Sequence, residues 1–349
     1  MATSTRRRDG EPLLIGIDLG GTGIKAGVVT ARGRVLGRSK AATRPEGGLD
    51  AVLGRMVRAT RAACTEAGVR VRDVAAAGVG APGAIDPVRG VMLEAVNLDW
   101  TNVPLARLLG ERLGVPVTVE NDVTAAVLGE SLAGAGRGAR HLLGVWVGTG
   151  LGGGLVLDGR LYRGHYLTAG ELGRGVVLPW APMGLGSLDQ VCSRTGMAET
   201  IDRLIRANCA TSIPPVTGGG SPTIDSATLA RAYAVRDPLV VEVVDHAARV
   251  LGVSIAGIVT LLSLERVVLG GGMTEALGRR YVGLIRTWVR RSVFPNQLRD
   301  VRVVASALWD DAGVIGAALL ALERSTAAPT APRAARASTA RRERPHGTS

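Results

Sequence analysis

Leu13-Leu14-Ile15-Gly16-Ile17-Asp18-Leu19-Gly20-Gly21-Thr22-Gly23-Ile24-Lys25 opens the body of the chain. A short apolar run ends in a cluster of small residues, and a second apolar run follows over 24–30. This pattern predicts a β-hairpin with a glycine-rich turn. Farther on, about 130 residues later, the same shape returns. An apolar run over 142–147 meets Gly148-Thr149-Gly150-Leu151-Gly152-Gly153-Gly154, and 155–157 is apolar again. Around these hairpins, helical patterns at 49–67, 105–113, 122–132, 238–263, 274–293 and 311–323 alternate with strand patterns at 74–79, 117–120, 266–269 and 301–305. A strand–glycine turn–strand unit repeated in two halves implies two related α/β lobes with a cleft between them.

Composition narrows the function classes. The chain has 349 residues, 46% hydrophobic and 21% charged, which suffices for one large two-lobed globule or two ordinary domains. With 49 glycines, 3% aromatics and a single Phe, the core must be built from Val, Leu, Ile and Ala. Cys64, Cys192 and Cys209 are far apart and odd in number, so neither a disulfide framework nor a four-cysteine zinc module can be assembled from them. A reducing, cytoplasmic setting is expected. Arg6, Arg7 and Arg8 are followed by no apolar signal core. The longest apolar stretch, 250–264, falls short of the roughly 20 residues that span a bilayer, so no membrane role is expected. Net charge is +12, but half of it sits in the two termini, 1–10 and 325–349. With no aromatic residues in those segments to stack on bases, a nucleic-acid partner is not expected.

The glycine turns point to phosphate. Gly148, Gly150 and Gly153 satisfy a G-x-G-x-x-G spacing, yet a strand rather than a helix follows them, so a dinucleotide-binding fold fails its structural test. No G-x-x-x-x-G-K-[ST] stretch exists either. A hairpin turn of small residues can still converge backbone N–H groups on a phosphate, with a threonine hydroxyl as an added donor. Ordinary tight hairpins would account for either turn alone. Two such turns, with Gly270-Gly271-Gly272 after a third strand, favour a polyphosphate gripped from several sides. The expected contacts are Gly20, Gly21, Thr22 and Lys25 from the first turn, Gly148, Thr149 and Gly150 from the second, and Gly270, Gly271 and Gly272 from the third. Asp18, just before the first turn, is placed to hold Mg²⁺ directly or through water.

Taken in order, Gly16-Ile17-Asp18-Leu19-Gly20-Gly21-Thr22, Glu120-Asn121-Asp122, the glycine run 148–154, Ala169-Gly170-Glu171-Leu172-Gly173 and Leu269-Gly270-Gly271-Gly272 resemble the motifs of the ROK family, over roughly 13–322. That family joins sugar kinases, chiefly glucokinases, with related repressors. The resemblance implies an actin-like (sugar kinase/Hsp70) fold, ATP with Mg²⁺, a homodimer, and Asp122 as general base, with Asn121 binding a sugar hydroxyl. Helix capping by Asn121 or Asp122 is compatible with those roles. Glu171 matches the glutamate that receives ring hydroxyls, while Asn97 and Gly83 match segments near the sugar. Expected boundaries are a disordered terminus at 1–11, a small lobe at 12–121, a large lobe at 122–310, a returning C-terminal helix at 311–324 and a disordered basic tail at 325–349.

The pattern breaks in one place. Family members follow Gly-Glu-x-Gly with a zinc-ligating His that also touches the sugar, and then supply three Cys. Here the His position is Arg174, no Cys lies between Val176 and Gln190, and Asp189 stands where a Glu is usual. All four ligands are missing together, so no structural zinc is expected. Cys192 cannot restore such a site, and His165 could at most add a hydrogen bond. A planar cation at Arg174 replaces a neutral imidazole, and Asp189 is one methylene short, so Arg174 and Asp189 are expected to alter acceptor choice. The expected reaction is transfer of the ATP γ-phosphate to a primary hydroxyl of a hexose or hexose-like acceptor, a carbocyclic analogue such as a C7 cyclitol included. The alternatives are a catalytically inactive sugar-binding protein and a repressor. The repressor would need several tens of residues of helix-turn-helix, whereas about a dozen precede Leu13.

Overall fold

The computed structural model describes residues 11–182, 185–213 and 224–326, so most of the expected terminal tails lies outside the described residues. The chain opens with β1 (Leu13–Leu19), β2 (Gly23–Thr30), β3 (Val35–Ala42), α1 (Gly48–Glu66) and β4 (Ala76–Ala81). It continues with a small ladder of β5 (Ala84–Asp86), β6 (Val91–Ala95) and β7 (Trp100–Val103), then α2 (Leu105–Leu113) and β8 (Val117–Asn121). Helix α3 (Asp122–Ala133) leads to β9 (Leu142–Val147), β10 (Leu151–Leu157) and β11 (Arg160–Tyr162). There follow α4 (Leu188–Cys192), α5 (Arg194–Arg206), α6 (Ser226–Ala234), α7 (Pro238–Leu262), β12 (Arg266–Gly270), α8 (Gly272–Ser292), β13 (Arg302–Ala305) and α9 (Ala312–Thr326).

The two main sheets share one plan. Their strand orders are β3-β2-β1-β4-β8 and β11-β10-β9-β12-β13. In each, the leading strand pairs antiparallel with its hairpin partner and parallel with the strand on its other side. The duplication expected from the two glycine hairpins is therefore present in the topology.

Side-chain alternation along the strands explains the layering. On β1, Leu13, Ile15, Ile17 and Leu19 join the core beneath α1 and α2, while Leu14 and Gly16 face α9 and Asp18 faces the cleft. A Cβ at Gly16 would lie 1.8 Å from the Val314 carbonyl oxygen, and one at Gly78 on β4 would lie 1.8 Å from that of Ala317, so glycine alone lets α9 approach this closely. The second sheet repeats the scheme. Leu143, Val145 and Val147 of β9 enter the large core with α7 and α8, while Leu142 packs with Val127 of α3. Helices α3 and α9 lie between the sheets and touch through Gly129 and Gly316, where a Cβ at Gly316 would meet the Ala125 carbonyl oxygen at 1.7 Å. The buried Glu130 of α3 accepts from the amides of Ala135 at 2.6 Å and Leu308 at 2.8 Å and from the Ser306 hydroxyl, fixing the loop that enters α9.

One expectation needs correction. The second glycine turn is only Gly148-Thr149-Gly150, because β10 resumes at Leu151 and carries Gly152, Gly153 and Gly154. These three serve packing: added Cβ atoms would strike Val123, the Gly170 carbonyl and Val127, respectively. The third lies, as expected, between a strand and a helix, with Gly270 ending β12 and Gly272 starting α8.

Candidate active site

Asp122 is the first residue of α3, directly after β8, so the strand delivers its carboxylate to the cleft between the lobes. Asn121 caps that helix, its Oδ1 accepting from Thr124 N at 3.1 Å, and its Nδ2 donates to the Gly83 carbonyl at 3.4 Å. Capping and a place beside the Gly83 loop thus coexist. Gly83 sits at φ 88, with a Cβ position 2.1 Å from the Glu94 carbonyl oxygen, which excludes any side chain there.

Electrostatics set Asp122 apart. Its Oδ1 accepts from Val123 N at 2.8 Å. Burial, followed by the nearby Asp18 carboxylate and a smaller push from Glu171, raises its pKa from 3.8 to about 6 against backbone hydrogen bonds that lower it. Asp18 is likewise raised, chiefly by burial, with the Lys25 ammonium working against that. These carboxylates share a cleft of roughly 180 Å³ with Lys25, Trp146, Glu275 and Trp309.

Lys25 Nζ lies 3.8 Å from Asp18 and 2.8 Å from Asp310, and Lys40 holds the other oxygen of Asp310 at 2.7 Å. The two ammonium groups hold the Asp310 carboxyl down at about 2.

Of the three glycine turns, the third lines this cleft with Gly271 and Gly272, whereas residues 20–22 and 148–150 are not among its lining. Gly20 N donates to Gly23 O at 2.8 Å, Thr43 Oγ1 donates to Gly20 O at 2.7 Å, and Gly21 lies against Asn97, whose Cβ would be 3.3 Å from an added Cβ. Thr22 is exposed at the tip. In the second turn Gly148 N donates to Gly150 O at 2.9 Å. The turn is backed by Arg194, whose amide donates to Gly148 O at 2.9 Å and whose guanidinium lies 3.3 Å from Thr149 Oγ1. Gly271, at φ 87, lies against the Val147 backbone, and Gly271 and Gly272 line the cleft while Gly270 sits under the Trp146 ring.

Glu171 is exposed just before a short 3-10 turn, Leu172–Arg174, and its charge adds a small upward push to the Asp122 pKa. Arg174 is exposed at the end of that turn, its amide donating to Glu171 O at 3.2 Å. Asp189 is engaged elsewhere: its Oδ1 accepts from Leu151 N at 2.6 Å, so it braces the second hairpin. Among the described residues no group of three or more His, Cys, Asp and Glu is arranged to hold a metal ion, and no helix is long and apolar enough to cross a membrane.

Sequence reasoning missed Trp146, Glu275, Trp309 and Asp310 in the cleft, and Glu120, Arg163 and Arg194 beside it. Glu120 stood inside a quoted motif, and Asp310 follows the strand that ends the second sheet; the others carry no local signal, because distant segments bring them in.

The ROK family profile matches residues 14–324. A glucokinase of Thermotoga maritima is 35% identical over 322 residues, covering 89% of this chain and 98% of that protein. The crystal structure of a ROK family glucokinase from Streptomyces griseus, in complex with glucose and AMPPNP, superposes with a TM-score of 0.76 at 32% identity, covering 89% of this chain and 99% of that one. A putative xylose repressor of Caldicellulosiruptor sp. is 27% identical over 91% of this chain and 80% of its own length. The duplicated sheets, the two helices between them and the glycine-lined cleft are those of the actin-like fold, and the chain belongs to the ROK family.

Proposed function

We propose that the protein is an ATP-dependent kinase that phosphorylates a primary hydroxyl of a hexose or hexose-like acceptor, a C7 cyclitol being within that class. The observation that carries the reading is Asp122: a carboxylate at a strand–helix junction in the interlobe cleft, beside Asp18, with a pKa near 6. A base so tuned is mostly ionised at neutral pH yet still basic enough to take a proton in the transition state. The glucokinase relatives support the sugar-kinase class.

The chain's residues suit a Mg²⁺–nucleotide. Asp18 offers a partly buried carboxylate, Lys25 a cation 3.8 Å from it, and Gly271 a backbone surface with no side chain. When bound, Mg²⁺–ATP supplies the transferable phosphoryl group and neutralises its charge. Gly20, Gly21, Thr22, Gly148, Thr149 and Gly150, with Gly270, Gly271 and Gly272, are read as the phosphate-facing backbone. Asn121, Glu171, Gly83 and Asn97 orient the acceptor. As its oxygen bonds to the γ-phosphorus, its proton passes to Asp122, and the bond to the bridging oxygen of ADP breaks. Arg174 discriminates against amino sugars by like-charge repulsion, and Asp189 acts on the same pocket through the hairpin it braces.

The same reading includes a cytoplasmic homodimer without structural zinc, with lobes at 12–121 and 122–310 and the helix at 311–324 returning to the first. Sedimentation tests the dimer. ADP release with Mg-ATP across hexoses, amino sugars, ketoses and C7 cyclitols tests the activity, with Asp122→Asn as the blank. Acceptor-dependent release that disappears in the variant is expected. Silence across the panel with sugar binding retained would replace this reading by an inactive sugar-binding protein, the kind of role that the repressor relative keeps in view.

A further inference from the structure

The free edges of the two sheets meet at one ion pair. Strand β8 ends the first sheet and β11 ends the second. Glu120, on β8, is 3% exposed, and its Oε2 accepts from Arg163 Nε at 2.7 Å just past β11. The other carboxylate oxygen, Oε1, accepts from Asn121 N at 3.1 Å. Arg163 also acts through its backbone: its carbonyl accepts from Ala169 N at 3.0 Å, closing the loop that runs into Gly170 and Glu171. At Gly170, φ 111 and a contact with the Gly153 backbone fix the loop's exit. One side chain pair thus joins the residue before Asn121-Asp122 to the base of the loop that carries Glu171.

A buried ion pair contributes little net stability against a well-packed apolar pair of the same volume, so stability alone gives little reason for one here. Geometry gives a better one. Acceptor and base must be held to within about an ångström for phosphoryl transfer, and one proposed acceptor contact, Glu171, follows the second sheet's β11, whereas Asp122 follows the first sheet's β8. Arg324 of α9 completes the surroundings, donating to the Pro87 carbonyl and sharing the field of Glu120, Arg163, Asp86 and Glu323.

We propose that Glu120 and Arg163 form an interlobe latch that sets the distance between the acceptor loop and Asp122, both being positioning residues for the transfer. The inference rests on the kinase reading above for its catalytic consequence and on the structure alone for the latch. The test compares Arg163→Lys with the double variant Arg163→Met/Glu120→Gln, which leaves no lone buried charge. In the double variant, acceptor KM is expected to rise and kcat to fall by about tenfold each, with Mg-ATP KM within about twofold and Tm little changed. Arg163→Lys should recover most of kcat. Hydrogen exchange over residues 164–172 should quicken in the double variant even without ligand, so the latch is read whether or not the wild type turns over any acceptor. Unchanged exchange there would overturn the latch. So would kinetic losses that fall equally on both substrates and track a drop in Tm. A wild type silent on every acceptor, with exchange quickened in the variant, would overturn the kinase reading and leave the latch standing.

Discussion

In its proposed role as base, Asp122 sets function against stability. Its folded pKa, about 6, lies above the ordinary 3.8, so the folded state binds its proton more tightly than the unfolded one. The stabilising effect of that proton is complete below about pH 4 and is lost as pH rises towards 6. At pH 7.5 Asp122→Asn should therefore be more stable than wild type by about 2 kcal/mol, allowing for water at the cleft, and the advantage should vanish on titration to pH 4. The same substitution should lower kcat by about 10²–10⁴-fold. Wild-type kcat should fall on the acid side with a midpoint near 6; a profile flat down to pH 5 would remove Asp122 as the base. At the residue scale the sequence was informative for the charged groups of the cleft. Asp18, Asp122 and Lys25 were legible and do line one cleft. Asp189 shows the limit: nothing in the sequence signals that its Oδ1 accepts from Leu151 N, a partner 38 residues away.

Among the elements, α9 depends most on what is missing. It lies against β1, β4 and α3 at distances that only Gly16, Gly78 and Gly316 allow. Gly316→Ala, with its Cβ driven against the Ala125 carbonyl, should destabilise by about 3 kcal/mol or prevent folding. The contrasting site is Gly257 in α7, where an added Cβ meets nothing within 4 Å; Gly257→Ala should stabilise by about 0.5–1 kcal/mol. Chemical denaturation of both variants checks the pair. Long elements such as α7 and the strands with unbroken apolar runs were legible from sequence, because burial on both sides leaves a continuous hydrophobic signal. Strand β3 was not: VLGRSKAA lies at a sheet edge, and its charged, half-exposed positions mask the alternation. Helices α4 to α6 were likewise missed, α4 being only five residues long.

Across the whole molecule, the absent zinc motif makes a sharp expectation. The segment after Glu171 is tied by backbone instead: Leu188 N donates to Gly175 O at 2.8 Å, Val177 N to Gly186 O at 2.9 Å, and Ser187 and Gln190 cap α4 reciprocally. Exhaustive chelation followed by return of Mg²⁺ alone should leave Tm and activity at their starting values; loss restored only by zinc would show a site that the sequence does not reveal. The two-lobed plan was readable because the hairpins repeat, whereas the contacts between lobes were not, since Glu120 and Arg163 lie 43 residues apart in the chain. A last consequence concerns the chain's two lysines. Lys25 and Lys40 both end on Asp310, at the mouth of the cleft. Amine-directed reagents therefore find, apart from the chain terminus, only these two neighbouring targets. A tag on Lys25 would occupy the space proposed for the donor's phosphates, so the mass added with and without nucleotide becomes a direct gauge of occupancy.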